Sequence, residues 1–112
     1  MFSTKKQIYA FTRKVYHRLN HECFMVRFIR SKEVHGLCYK YCNFIEITAD
    51  GVILATLVHE MLHDIYPEWT EKRVLKMERF IMNRLSHRQM INLIEALAGS
   101  LKRNLKLWNK IK

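Results

Sequence analysis

Two histidines four positions apart, with a glutamate directly after the first, are the residues whose types and spacing most plainly imply chemistry: His59-Glu60-Met61-Leu62-His63. Four residues is just over one turn of α-helix, so on a helix both imidazoles project from one face and can hold a single Zn²⁺ through ring nitrogens. Glu60 then points about 100° round the same helix. From there it can reach a water on the metal without becoming a ligand. Coordination lowers the pKa of such a water to about 7, and Glu60 can take its proton. The same letters also suit two histidines satisfied by their surroundings and an exposed glutamate. Val58, Leu62 and Ile65 close by favour the first reading, because apolar neighbours dry and stiffen a metal site.

Two histidines do not complete a zinc site. Glu71 is the first choice for a third ligand: Pro67 ends the motif helix, Thr70 can cap a new one, and the chain can reverse to bring that first turn beside His63. An acidic residue at a helix N-terminus is also favoured by the macrodipole with no metal at all. Glu78, two turns further along the same face, is the alternative ligand. Asp64 is expected either to orient an imidazole or to face solvent. Tyr66 is a plug at the helix end or an oxyanion donor. His17, His21, His35 and His87 are scattered, and are read as structural or surface residues.

The elements that must position these groups follow from periodicity. Ser3 or Thr4 can cap a helix over residues 3–20 with Ile8, Phe11, Val15 and Leu19 on one stripe and Lys5, Lys6, Arg13, Lys14 and Arg18 elsewhere, a solvated or an anion-binding surface. Alternation over Phe24–Ile29 predicts a strand, a turn follows around Ser31 to Gly36, and Leu37–Tyr41 and Phe44–Thr48 predict two more strands joined near Cys42 and Asn43. After the Asp50-Gly51 break, Val52–Tyr66 is helical with Leu54, Val58, Met61 and Ile65 on a stripe. Thr70 caps a helix to about Leu85 through Val74, Met77 and Ile81. Ser86 caps the last, running through Met90, Ile94, Leu97, Leu101, Leu105 and Trp108. The expectation is an α+β fold in one domain, residues 1–112: an N-terminal helix, a small three-stranded sheet, an active-site helix and two C-terminal helices.

Composition narrows the setting. The chain has 112 residues, is 49% hydrophobic, and has three glycines and one proline, which suits one compact core. No apolar stretch approaches the roughly 20 residues of a membrane span, and the start MFSTKKQIYAFTRK lacks the apolar region of a secretion signal, so a cytoplasmic location without membrane association is expected. Cys23, Cys38 and Cys42 are odd in number and sparse; they suit a reducing compartment and are read as buried thiols rather than as a Cys38–Cys42 metal pair. The formal net charge is +10, with no acidic residue before Glu22 or after Glu95. Both ends are therefore basic and could meet nucleic acid or a nucleoprotein. Lys102, Arg103, Lys106, Lys110 and Lys112, interleaved with Leu105, Leu107 and Trp108, make a basic amphipathic segment able to sit on phosphates, although packing on the first helix also explains its apolar residues.

The stretch from Leu57 to Glu78, LVHEMLHDIYPEWTEKRVLKME, resembles the compact zincin-like metallopeptidases encoded as small open reading frames in phages and bacteria, which show H-E-x-x-H, then a Pro, then an acidic-led helix. Phe44-Ile45-Glu46-Ile47 looks like the zincin edge strand that runs beside the active-site helix and pairs with an extended substrate. The resemblance covers about residues 36–85. It implies zinc at His59 and His63, a base at Glu60, a third ligand at Glu71, a protein or peptide substrate, and the host cytoplasm if the chain is phage-encoded. The chain departs from the longer metzincin motif, with Tyr66 in place of Gly and Trp69 in place of a third His. The leading expectation is zinc-dependent peptide hydrolysis. The competing one is a non-catalytic zinc-containing module that uses its basic ends to hold nucleic acid or a larger assembly.

Overall fold

The computed structural model describes residues 3–21, 23–29, 36–48 and 52–111, with side chains as far as residue 106. Among these, four helices and a mixed three-stranded sheet form an α+β fold: α1 (Lys5–Asn20), β1 (Met25–Ile29), β2 (Gly36–Tyr39), β3 (Phe44–Thr48), α2 (Ile53–Ile65), α3 (Glu71–Met82) and α4 (His87–Ile111). The residues expected to turn before Gly36, His35 among them, the Asp50-Gly51 break and Lys112 lie outside the described residues, as do the side chains of Leu107, Trp108 and Lys110.

Helix starts follow their caps. Thr4 accepts from the Gln7 N–H while the Gln7 side chain accepts from the Thr4 N–H, a reciprocal capping box that starts α1. The Thr70 hydroxyl accepts from the Arg73 N–H at the start of α3, and Ser86 and Gln89 exchange bonds of 2.9 and 3.1 Å ahead of α4. The predicted stripes of α1 (Ile8, Phe11, Val15, Leu19) and α3 (Val74, Met77, Ile81, with Leu85 just beyond it) are all buried. The α3 helix ends at Met82, three residues short of Leu85, yet the Leu85 N–H still reaches the Ile81 carbonyl at 3.0 Å.

The stripe of α4 has a different phase from the one its apolar residues suggest. Ile94 and Leu105 are 51% and 59% exposed, and the buried residues are Leu93, Ala96, Leu97, Ser100 and Asn104. This face packs on α1 and β1. The Asn104 amide donates to the Val26 carbonyl at 3.1 Å, so a polar side chain satisfies a backbone group of an edge strand. Arg103 donates to the Leu19 carbonyl at the end of α1, which removes one cation from the expected phosphate-binding segment. Lys102 and Lys106 are exposed.

The sheet order is β1-β3-β2, with β1 parallel and β2 antiparallel to β3. Phe44-Ile45-Glu46-Ile47 is therefore the central strand and not the edge strand; β1 and β2 hold the two edges, and β2 packs on α2. The reason is burial on both faces: Ile45, Glu46, Ile47 and Thr48 are all buried, as in a strand flanked on each side. Ile45 and Ile47 join the hydrophobic core. Glu46, on the opposite face, accepts from Arg27 of β1 and from the Tyr39 hydroxyl of β2, so its charge is paired by one neighbour and hydrogen-bonded by the other. Tyr41 and Asn43, in left-handed conformations (φ 64° and 53°), close the β2–β3 connection, and the Asn43 carbonyl accepts the Met25 N–H at 2.9 Å to start the parallel pairing with β1. No helix among the described residues is long and apolar enough to cross a membrane.

Candidate metal centre

The motif lies on α2, as its spacing requires, and α2 is enclosed by β2, β3, α3 and α4. Leu57, Val58, Met61 and Leu62 are buried, and so are Glu60 and Asp64. The helix ends at Tyr66, whose N–H reaches the Leu62 carbonyl at 2.9 Å. Tyr66 stacks on Trp69 with ring centroids 4.2 Å apart, and the Trp69 N–H donates to the Tyr66 carbonyl at 3.0 Å. The Lys14 ammonium lies 5.6 Å from the centre of the Tyr66 ring, and the Arg73 guanidinium 4.2 Å from that of Trp69. Around Pro67 this stack makes the reversal, with Tyr66 half-buried at the helix end.

The reversal returns the first turn of α3 to the histidines. Glu71 Oε1 lies 2.7 Å from His59 Nε2, and Glu71 Oε2 lies 2.7 Å from His63 Nε2. The two rings are 4.9 Å apart and inclined at 68°. Glu78, the alternative ligand, takes another place: its Oε1 lies 2.8 Å from His59 Nδ1, the nitrogen facing away from Glu71. His59, His63 and Glu71 form a group of potential ligands whose donor atoms all lie within 4.8 Å of one another, the one such group among the described residues.

These residues fit a divalent cation on their own chemistry. His59 meets a carboxylate at each ring nitrogen, so a neutral ring that donates Nδ1–H to Glu78 turns its Nε2 lone pair toward Glu71. Two acceptors face each other comfortably only with a cation, or a proton, between them. His63 strengthens the case. Burial, opposed by Glu71, pushes its pKa below the usual histidine value and favours the neutral ligand form. Its Nδ1, on the side away from Glu71, is buried without a hydrogen-bond partner, so this ring lacks the outer carboxylate that Glu78 gives His59. Two imidazole nitrogens and a carboxylate are a donor set suited to Zn²⁺ with a position left open, and Glu78 on the far nitrogen of His59 is the outer partner such ligands commonly have.

Glu60 is not part of the ligand group. Its side chain is buried against Gly36, the first residue of β2, where an added Cβ would lie 2.7 Å from Glu60 Oε2, 2.9 Å from Glu60 Cγ and 2.8 Å from Thr56 Cγ2. The carboxyl pKa is pushed up to about 7, chiefly by burial; His59 lowers it, and Glu71 and Glu78 add to the rise. A carboxyl poised near neutrality can both take and return a proton. Gly36 escaped the sequence reading. Its one signal was the rarity of glycine, three in the chain, at the mouth of a strand.

Asp64 neither orients an imidazole nor faces solvent. It is buried toward α1, with Oδ2 3.2 Å from Arg18 Nε; burial raises its pKa and Arg18 opposes the rise. His17 and His21 line a cavity at the end of α1, the His21 ring accepting the Cys23 N–H at 3.1 Å, and His87 is exposed. Of the three cysteines expected to be buried, Cys38 alone is partly covered, while Cys23 and Cys42 are exposed because they sit in the connections flanking β1 and β3. The Cys38 thiol is pushed up to about 12, first by burial and then by Asp64 and Glu60. No protein-family model, curated protein or solved structure matches the chain.

Proposed function

We propose that the chain is a zinc-dependent peptidase of compact zincin type, acting on a protein or peptide in the cytoplasm, of the host if the chain is phage-encoded. His59, His63 and Glu71 hold the ion and Glu60 is the general base. The observation that carries this reading is the single Glu71 carboxylate meeting both motif imidazoles at 2.7 Å, one oxygen to each Nε2, with Glu60 buried beside them and outside the ligand group.

A Zn²⁺ ion held by His59, His63 and Glu71 would supply Lewis acidity toward a substrate carbonyl and a water. The remaining work falls to the chain. Glu60 takes the proton of the attacking water on its carboxylate and hands it to the leaving amine. Gly36 leaves the space in which that carboxyl sits, and Glu78 holds His59 in the tautomer that presents Nε2. The β2 strand, at the sheet edge beside α2, offers backbone groups to an extended peptide.

The test is metal content and peptide-library cleavage for wild type, Glu60→Gln and His59→Ala. Glu60→Gln should retain zinc and lose turnover by about 10²- to 10⁴-fold. His59→Ala should lose both. A Glu60→Gln variant as active as wild type would remove the catalytic reading and leave the non-catalytic zinc module.

A further inference from the structure

Away from the metal centre, the solvent face of α1 joins positive charge to exposed aromatic rings. The buried stripe of the helix is Ile8, Phe11, Thr12, Val15 and Leu19. At 100° per residue the exposed surface from one flank of that stripe to the opposite face carries Tyr16, Tyr9, Arg13, Lys6 and His17 in sequence, with Lys5 at its border. Tyr9 is 55% exposed and Tyr16 45% exposed. The Arg13 guanidinium stands 5.9 Å from the centre of the Tyr9 ring, and Tyr16 meets His17 edge-on at 6.0 Å. The helix has no acidic residue. Its row ends at a cavity of about 300 Å³ lined by His17, Arg18, His21, Phe24 and Asn43. The Arg103 contact with the Leu19 carbonyl brings α4 to the same end of α1, and with it the exposed Lys102 and Lys106.

We infer that this face of α1 binds single-stranded nucleic acid, with Lys5, Lys6 and Arg13 on the phosphates, unpaired bases stacked on Tyr9 and Tyr16, and one nucleotide seated in the cavity. A solvated basic face has no use for two half-exposed tyrosines between its cations. Single strands do, because every unpaired base presents a flat π-face while the phosphates repeat alongside, and the same alternation of ring and cation serves any base sequence. A duplex keeps its bases stacked inside and would leave both rings idle. An anionic membrane is the poorer partner. A helix lying on a bilayer must insert its apolar face, and the apolar face of α1 is closed into the core. None of these residues touches His59, His63, Glu71 or Glu60, so the inference is independent of the peptidase reading.

The experiment is fluorescence anisotropy of the full chain with a short labelled oligothymidylate, repeated with the same sequence in a duplex and with phosphatidylserine-containing vesicles as competitor, over a range of salt. Single strand is expected to bind more tightly than duplex and to resist vesicle competition. Tyr9→Ala and Tyr16→Ala, both at exposed positions, should each weaken binding by about fivefold or more while leaving the salt slope unchanged. Arg13→Gln should reduce the slope of log K against log salt by about 0.7, one single-strand phosphate contact. Equal affinity for duplex, displacement by vesicles, or tyrosine variants that bind as wild type would overturn the inference.

Discussion

Gly36→Ala tests whether the edge strand sets the position of the general base. The new methyl carbon would lie 2.7 Å from Glu60 Oε2, 2.8 Å from Thr56 Cγ2 and 2.9 Å from Glu60 Cγ, all well inside the roughly 3.5–4.0 Å at which carbon atoms pack. Thr56 is β-branched on a helix and has few rotamers to retreat into. Glu60 is buried, so its carboxyl must give way by about 1 Å, and a misplacement of that size costs on the order of 10² in rate, or about 2.7 kcal/mol of transition-state stabilisation. Overpacking should also cost about 1–3 kcal/mol of stability, which near 100 residues lowers Tm by roughly 4–8 °C per kcal/mol. The measurements are kcat/KM on a cleaved peptide, zinc stoichiometry and a thermal melt. The expected outcome is a loss of about 100-fold in kcat/KM, full zinc content and a lower Tm. Adding Thr56→Ser removes one of the contacted atoms, so it should recover stability and leave turnover low. Wild-type turnover in Gly36→Ala, or zinc lost together with activity, would refute the argument that β2 presses on Glu60 and not on the ligands.

Three further outcomes follow from the same structure. Glu78→Gln weakens the acceptor on His59 Nδ1 and should lower zinc affinity by about 10- to 100-fold in a chelator competition; unchanged affinity would reduce Glu78 to a surface partner. Asn104→Ala leaves the Val26 carbonyl without its side-chain donor, and chemical denaturation should show a loss of about 1–3 kcal/mol, with a neutral result meaning that α4 does not secure the edge of β1. With a thiol reagent at pH 8, exposed Cys23 and Cys42 should react first, whereas Cys38, partly covered and with its thiol pushed up to about 12, should react much more slowly. Three equally fast thiols would contradict its placement in β2.

The helices, the caps of α1, α3 and α4 and the stripes of α1 and α3 were legible in the sequence because each depends on contacts within about four residues: Thr4 with Gln7, Thr70 with Arg73, Ser86 with Gln89, Val74 with Met77. The motif was legible for the same reason, since one helical turn separates His59 from His63. The return of Glu71 beside His63 was legible as well, because a proline and a capping residue define a short reversal. The phase of α4 was not legible. It has apolar residues on more than one flank, and its choice among them is made by partners far along the chain, Leu19 and Val26.

What the sequence by itself determined is thus the local grammar: four helices, three short strands, and a His-Glu-His set aimed by one helix. Tertiary structure alone decided that β3 lies between β1 and β2, that Glu71 meets both imidazoles while Glu78 takes the outer nitrogen of His59, and that Gly36 makes room for Glu60. The division is physical. A helical turn is closed by hydrogen bonds between near neighbours, whereas strand order and the meeting of a carboxylate with a particular ring nitrogen are settled when separate elements bury their surfaces against one another.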